Sequence, residues 1–154
     1  MTNKNKHKIA VLGAGSFGTV IANMLAVNGY ATTLWMRSEQ QLEDIVSSGE
    51  NRAYLPGYRF DSRLHFTNDM QQALDSVDSV FFAVPSSALR LVAQQAKPWI
   101  DSDVALISTA KGIEADSFAL PSQILGQELP GNQVGVISGP NLAKEIANYE
   151  ITAT

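Results

Sequence analysis

Three spaced glycines between an apolar run and an amphipathic stretch constrain the fold of this chain most strongly. Ile9–Leu12 is an uninterrupted apolar run, which is typical of a parallel strand covered on both faces. The six residues that follow, GAGSFG, match the pattern G-x-G-x-x-G. In this pattern Gly13 permits a tight turn, Gly15 lets the backbone approach a pyrophosphate, and Gly18 lets a helix pack closely on the strand. The motif predicts a dinucleotide-binding turn, and the alternative is a strand-to-helix turn that binds no ligand.

The stretch after the glycines predicts a helix whose N-terminus attracts an anion. The helix is expected from Thr19 to Val27, and Gly29 stands where it would end. One broad apolar face is predicted to comprise Val20, Ile21, Met24, Leu25 and Val27. Free N–H groups and a partial positive charge at a helix N-terminus favour a bound phosphate.

The composition excludes several classes of protein. With 154 residues, 45% of them hydrophobic, the chain is long enough for one domain with its own core, so we expect residues 1–154 to form a single globule. A net charge of −4 and the absence of a long Lys/Arg block argue against nucleic-acid and anionic-membrane binding. Because there is no cysteine, disulfides, thiolate metal sites and thiol nucleophiles are excluded.

Motifs for other chemistries are lacking. His7, in a terminus expected to fray, and His65, in a short strand, make neither a zinc site nor a catalytic triad, so no metal site is predicted. Ser86 and Ser108 lack the frame of a nucleophile elbow, and no G-x-x-x-x-G-K-[ST] phosphate loop is present. A hydrolase, a kinase and an NTPase are therefore disfavoured.

The start of the chain differs from a signal peptide. Lys4, Lys6 and Lys8 precede apolar residues, but the apolar run breaks at Gly13, well short of the hydrophobic segment of a signal peptide. No segment approaches the roughly 20 apolar residues that span a bilayer. We expect a cytoplasmic protein without a membrane span.

Apolar strands alternate with amphipathic helices along the chain, which predicts an α/β fold with a doubly wound, mostly parallel sheet and helices on both faces. The predicted strands are Ile9–Leu12, Tyr30–Met36, Leu64–Thr67, Ser79–Val84, Val104–Ser108 and Val134–Ile137. The predicted helices are Thr19–Val27, Ser38 to about Gly49, Asn68–Val77, Leu89–Ala96 and Phe118–Leu129, with helix-like sequence after Glu145.

The second predicted helix opens with a capping box. Ser38 and Gln41 have the required spacing, so each side chain is expected to bond the other's backbone N–H. The residues expected to face the core are Leu42, Ile45 and Val46. After this helix, residues 51–63 are predicted to be the longest irregular segment. In that segment Tyr54 and Leu55 either lie over a bound ligand or close the edge of the core.

Arg37 follows the second predicted strand, about 20 residues beyond the glycine turn, where dinucleotide-binding enzymes distinguish NAD from NADP. A site that selects NAD has an Asp or Glu there, whereas this chain has Met36-Arg37-Ser38. A guanidinium can pair with a 2′-phosphate and stack on adenine. The residue predicts a preference for NADP with NAD tolerated, and the alternative is a solvated surface arginine.

The unusual residues of the chain gather directly after predicted strand ends. In a doubly wound sheet, ligands bind beyond the carboxyl ends of the strands, where the strand order reverses. The residues placed there are the glycine turn, Arg37, Pro85-Ser86, Lys111 and residues 139–144. Their shared position predicts one binding site at the carboxyl edge of the sheet.

Six short motifs follow one another along the chain. They are GAGSFGT at 13–19, LW-x-R at 34–37, YLPG at 54–57, VPS at 84–86, TAKGIE at 109–114 and SGP-x-x-AKE at 138–145. Together they resemble the NAD(P)-dependent glycerol-3-phosphate dehydrogenases, in particular the bacterial type. TAKGIE and SGP-x-x-AKE are much more specific to that family than the glycine turn.

The resemblance implies an enzyme that interconverts sn-glycerol 3-phosphate and dihydroxyacetone phosphate with NADP or NAD, for glycerophospholipid synthesis. The residues predicted to bind the cofactor are Gly13, Gly15, Ser16, Phe17, Gly18, Arg37, Tyr54, Lys111 and Ala143. Those predicted to bind substrate are Lys111, Gly139 and Asn141. Asn141 and Leu142 stand where Ser/Thr and Phe are frequent in the family, and Asn141 can still form hydrogen bonds.

The resemblance covers the cofactor domain, roughly the first half of the family's length. The family's catalytic lysine and substrate-phosphate contacts lie in a helical C-terminal domain, so no catalytic residue is predicted within these 154 residues. Residues 150–154 resemble the opening of another strand, and we expect a fragment of a longer protein. At full length, a homodimer is one of the states to test. Lys111 is expected to give charge and a hydrogen bond to the substrate oxygen rather than to act as the principal base.

Two other interpretations remain open. One is a stand-alone nucleotide-binding module, regulatory or structural, without turnover. The other is a different two-domain reductase that acts on a hydroxy acid or an imine, against which TAKGIE argues. For Lys111 itself the alternative is a solvent-facing lysine with no role in binding.

Overall fold

The computed structural model describes residues 7–150 of the chain, and its strands lie between Lys8 and Val136. The strands are β1 (Lys8–Leu12), β2 (Ala31–Trp35), β3 (Glu50–Asn51), β4 (Leu55–Arg59), β5 (Leu64–Thr67), β6 (Ser79–Phe82), β7 (Ala105–Ser108) and β8 (Val134–Val136). Six of them form one sheet in the order β5-β2-β1-β6-β7-β8, in which each neighbouring pair is parallel. The predicted parallel sheet is confirmed.

Helices cover both faces of this sheet, as predicted. They are α1 (Ser16–Val27), α2 (Glu39–Ser48), α3 (Met70–Leu74), α4 (Ser86–Ala96), α5 (Pro121–Glu128) and α6 (Ala143–Ala147). Pro121 occupies the first position of α5, where its missing N–H costs no hydrogen bond. Within residues 7–150, no helix is both long enough and apolar enough to cross a membrane.

The order of the strands reverses beside β1. From β1 the chain moves outward through β2 to β5, then crosses to β6 on the other side of β1 and moves outward again to β8. Ile9 of β1 is in register with Thr32 of β2 on one side and with Ser79 of β6 on the other. The carboxyl ends of β1 and β6 therefore form the crevice where sheets of this kind bind ligands.

Each face of the sheet has its own core, because alternate residues of a strand point to opposite faces. Val11 belongs to a cluster under α1 and α2, here called the first core. Its buried members are Val11, Ala14, Ala22, Ala26, Leu34, Met36, Ile45 and Leu64. Ala10 and Leu12 belong to the second core, which extends through α3, α4 and α5 as far as Leu129.

Two details of the predicted apolar faces are wrong. Val46 is 67% exposed, since the neighbouring Ile45 takes the inward direction of α2. On α1, Met24 and Val27 are also exposed, by 38% and 46%. Small residues at a spacing of four, Gly18, Ala22 and Ala26, face the sheet instead and let α1 lie close to it.

Residues 51–63 are more regular than predicted. β3 and β4 form a small antiparallel hairpin, and Pro56-Gly57 lies inside β4, where Gly57 adopts a φ of +80°. Leu55 is buried, whereas Tyr54 is half exposed. Asn23 of α1 holds the hairpin by donating to Tyr58 Oη (3.0 Å) and accepting from the Asp61 N–H (2.7 Å).

Several predicted boundaries also shift. The helices expected over Asn68–Val77 and Phe118–Leu129 contract to α3 and α5, and Phe118 is exposed with a φ of +56°. His7 is less free than expected, since its Nε2 lies 3.2 Å from Ser79 Oγ. Lys4, Lys6 and the strand expected to open over residues 150–154 fall wholly or mostly outside the described residues.

Candidate functional site

The glycine turn after β1 is shaped by two close backbone approaches. Gly13 has a φ of +115°, and a Cβ at this position would lie 2.4 Å from the Ala83 carbonyl oxygen. A Cβ on Gly18 would lie 1.9 Å from the Gly13 carbonyl oxygen. Both positions therefore require glycine, and the tight turn and the close helix packing expected from the motif are observed.

Gly15 differs from its two neighbours because it is open to the outside. No atom lies within 4 Å of a Cβ built on it. Gly15 is also the N-cap of α1, so it has no side chain to accept from the N–H groups of the first turn, and that turn contains no acidic residue. The positive end of α1 therefore remains available to an anion.

A first cavity of about 320 Å³ lies beyond the ends of β1, β2 and β6. Gly13, Gly15, Arg37 and Tyr54 line it, so it brings together four of the predicted cofactor residues. Ser16 Oγ donates to the Tyr54 carbonyl oxygen at 2.7 Å, which ties this segment to the start of α1. Arg37 is exposed and has no ion-pair partner among residues 7–150.

A second cavity of about 330 Å³ meets the first one at Gly15. Its walls come from the start of α1, from the loop after β7 and from the segment that leads into α6. The predicted site residues that line it are Gly15, Ser16, Phe17, Lys111, Asn141 and Ala143. The two cavities together form a continuous slot that runs past the N-terminus of α1.

Lys111 is held at the second cavity by the segment after β8. Its Nζ donates to the Gly139 carbonyl oxygen at 2.8 Å and to Asn141 Oδ1 at 3.2 Å. The three predicted substrate residues therefore lie in contact. No carboxylate among the described residues pairs with Lys111, so its charge remains available to an anionic ligand.

An ion cluster supports the loop that carries Lys111. Arg90 of α4 donates to both carboxylate oxygens of Glu114, at 2.8 and 2.7 Å, and to Glu128 at 2.6 Å. The Arg90 guanidinium, assisted by the Ser117 hydroxyl, lowers the pKa of Glu114 to about 2. Arg90 was not identified from the sequence, because its partners are 24 and 38 positions away and no local pattern links them.

The predicted capping box is only half formed. Ser38 Oγ accepts from the Gln41 N–H at 3.2 Å, as predicted. The Gln41 side chain instead donates to the carbonyl oxygen of Ala14, in the glycine turn, at 2.8 Å. Asn51, which is buried, donates to the same oxygen at 2.9 Å. The capping-box spacing therefore predicted the start of α2 correctly, but it did not predict the hydrogen bond from Gln41 to the glycine turn.

A glycine turn at the reversal of a parallel sheet, with a slot running past an uncapped helix N-terminus, defines a Rossmann-like domain of the kind that binds dinucleotides. Comparison with known families then gives the particular group. Residues 8–154 match the family model described as the N-terminus of NAD-dependent glycerol-3-phosphate dehydrogenase, and the chain belongs to this family.

Named relatives agree with the family assignment. The chain is 47% identical over 150 residues to a "Glycerol-3-phosphate dehydrogenase [NAD(P)+]" of Teredinibacter turnerae, covering 97% of this chain and 44% of that protein. It is 49% identical over 146 residues to the protein of the same name from Pseudomonas paraeruginosa, covering 95% and 43%. The chain thus spans less than half the length of these relatives.

Solved structures share the fold. The glycerol-3-phosphate dehydrogenase of Coxiella burnetii superposes with a TM-score of 0.86 at 37% identity, over 93% of this chain and 44% of that one. A ketopantoate reductase from Ralstonia eutropha, at 23% identity and a TM-score of 0.66 over 84% of this chain and 40% of that one, shares the fold alone.

Proposed function

We propose that this chain is the cofactor-binding part of an enzyme that interconverts sn-glycerol 3-phosphate and dihydroxyacetone phosphate with NADP or NAD. The observation that carries the proposal is the slot itself, where the glycine turn, Arg37, Tyr54 and the Lys111 loop line two cavities that meet at Gly15. The names of the relatives support the same reaction.

The residues of the slot fit a pyridine dinucleotide. The open backbone at Gly15 and the first turn of α1 would hold the pyrophosphate, since free N–H groups and the helix dipole favour an anion there. Arg37 and Tyr54 would hold the adenosine end, on the side of the first cavity. The other end would then lie in the second cavity, and a bound nicotinamide supplies the hydride chemistry.

Lys111 is the residue proposed to meet the substrate. Its ammonium would stabilise charge on the carbonyl or hydroxyl oxygen of the substrate and attract the phosphate group. The bonds to Gly139 and Asn141 orient Nζ, and the contact with the Asn141 carbonyl oxygen, at 3.5 Å, is long enough for a substrate oxygen to replace it. Lys111 would therefore position and polarise the substrate without being the principal base.

The substrate proposal is tested on the complete protein that contains this chain. We expect NADPH-dependent reduction of dihydroxyacetone phosphate, and we expect Lys111→Ala to lower turnover greatly while NADPH binding is retained. Lys97→Ala is the matched control, because Lys97 is an exposed lysine remote from the slot. Wild-type kinetics in Lys111→Ala would refute the assigned role. Binding of NADPH without any turnover would favour a nucleotide-binding module.

The preference for NADP is tested at Arg37. A carboxylate would repel the 2′-phosphate and accept from the ribose hydroxyls of NAD, so Arg37→Asp is expected to shift the ratio of NADPH to NADH affinity by about tenfold or more towards NADH. Arg59→Asp makes the same charge change on the β3–β4 hairpin and serves as the control. An unchanged ratio in Arg37→Asp would contradict the proposal.

Several wider features stay predictions from the family resemblance. They are the helical C-terminal domain with its catalytic lysine, the homodimer, the cytoplasmic location and the role in phospholipid synthesis. Substrate screening with hydroxy acids and imines distinguishes the remaining alternative of a different two-domain reductase.

A further inference from the structure

The Ala14 carbonyl, at the centre of the glycine turn, is held by two side chains from distant elements. Gln41 Nε2 of α2 donates to it at 2.8 Å, and Asn51 Nδ2 of β3 donates at 2.9 Å. A carbonyl oxygen has two lone pairs and can accept from both amides at once. This atom is therefore fixed from outside the turn.

Asn51 links the turn to the helix that follows it. Its second N–H donates to Thr19 Oγ1 at 2.9 Å, and its Oδ1 lies 3.5 Å from Gln41 Nε2. Asn51 is 1% exposed and Thr19 is fully buried, so each hydrogen bond replaces contacts with water that these groups have lost. Gln41, Asn51 and Thr19 form one network around Ala14, here called the amide clamp.

The amide clamp also orients the next N–H group. The peptide between Ala14 and Gly15 is planar and trans, so its N–H points opposite to its C=O. With the carbonyl held by Asn51 and by Gln41, which itself lines the first cavity, the Gly15 N–H points away from those two side chains. Gly15 lines both cavities, at the point where they meet.

We propose that Gln41 and Asn51 are positioning residues, which hold the Gly15 N–H ready for the pyrophosphate of the dinucleotide. This inference rests on the proposed cofactor binding and adds to it the residues that prepare the turn. Amides suit the task because they are neutral donors. A carboxylate at either position could not donate to the carbonyl and would bring negative charge next to a site for an anion.

Titration of this chain with two ligands tests the proposal. NADPH contains the pyrophosphate, whereas 2′-AMP has only the adenosine and its 2′-phosphate. Gln41→Ala and Asn51→Asp are each expected to raise the dissociation constant of NADPH by about tenfold, as for a lost hydrogen bond to a positioned group. Calorimetry measures the dissociation constant of NADPH, and chemical-shift titration follows 2′-AMP. Asn51 lines neither cavity of the slot, so Asn51→Asp is expected to change the dissociation constant of 2′-AMP by less than about twofold. Gln41 also lines the first cavity, so Gln41→Ala is expected to raise the dissociation constant of NADPH more than that of 2′-AMP.

Gln40→Ala is the matched control, because Gln40 is exposed on the same helix and bonds Asp44 instead of the turn. We expect it to leave both dissociation constants unchanged. Should Asn51→Asp fail to fold, as judged by circular dichroism, Gln41→Ala alone decides the question.

Different outcomes overturn different proposals. Unchanged NADPH affinity in the variants, while the wild type binds, would refute positioning by the amide clamp. Equal weakening of NADPH and 2′-AMP would also refute it, since a general structural role affects both ligands alike. No binding of NADPH or NADH by the folded wild type would instead refute the proposed function.

Discussion

Two loops at the same edge of the sheet are held in place by different interactions, one by neutral hydrogen bonds and the other by ion pairs. The glycine turn is held by the amide clamp, whose buried members carry no charge. The Lys111 loop is held by Arg90, which pairs with Glu114 and Glu128 at partly exposed positions.

The difference follows from what each loop has to present. Backbone N–H groups and the N-terminal end of a helix carry only partial positive charge, and the full negative charge of a neighbouring carboxylate would cancel it. The turn therefore uses neutral support that neither salt nor pH disturbs. The Lys111 loop presents a full charge, and the ion cluster can support it because Arg90 pairs with both carboxylates and none of the three side chains lines the second cavity.

The largest effect is expected at Gly18. A methyl group there would overlap the Gly13 carbonyl, so Gly18→Ala should destabilise the fold by about 3 kcal/mol or more and abolish nucleotide binding. Gly15→Ala is the matched control, since its methyl group meets no atom within 4 Å. We expect Gly15→Ala to fold normally and to lose only affinity for NADPH. Denaturant unfolding together with calorimetry measures both, and equal unfolding free energies for the two variants would contradict the steric argument.

Removal of the ion cluster should have a smaller effect. Arg90→Met leaves Glu114 and Glu128 without their shared partner, so we expect the melting temperature to fall by a few degrees while NADPH affinity is retained. Arg63→Met, which breaks the exposed local pair with Asp61, is expected to change the melting temperature less. If Arg90→Met melted like the wild type, the cluster would not hold the Lys111 loop.

Acid should affect the two loops differently. The pKa of Glu114 is about 2 in the folded protein, against an ordinary 4.5, so its stabilising effect is complete above about pH 5 and is lost as the pH falls towards 2. The melting temperature of the wild type should therefore fall over this range, and that of Arg90→Met should fall less. The pKa of Asp61 is also lowered to about 2, by hydrogen bonds from Arg63, but both proteins retain that pair. Parallel melting curves against pH would contradict this assignment.

The smallest effect is expected at Gly126, which lies within α5 next to the ion cluster. No atom lies within 4 Å of a Cβ built there, and its φ is not positive. Gly126→Ala should therefore raise the free energy of unfolding by about 0.5–1 kcal/mol, through the higher helix propensity of alanine. Urea unfolding would check this increase. A lower free energy of unfolding in Gly126→Ala would contradict this prediction. It would mean that α5, like the glycine turn, has a position at which only glycine fits.

Local patterns in the sequence predicted most of the fold. The apolar runs gave the six strands of the sheet, and the glycine spacing gave the turn, because both depend on neighbouring residues. The β3–β4 hairpin was missed because Pro56-Gly57 reads as a break, although the antiparallel pairing with β3 extends across it.

The predicted site residues came from strand ends and motifs, and all of them except Gly18 and Gly139 line the slot. The residues that support them could not be found in this way. Gln41 lies 27 positions from Ala14, and Arg90 lies 24 from Glu114, so only the tertiary fold joins them. Asn51 followed a predicted helix end and had no feature that separated it from other polar loop residues.

The division between the two cores affects how the protein is made. Every buried member of the first core lies between residues 11 and 64, whereas the second core needs segments as far as Leu129. A nascent chain can therefore assemble the buried members of the first core early during translation, before Phe81 and Ala83 pack against them. At that stage Ala10, Leu12 and Trp35 still present an apolar surface on the other face of the sheet.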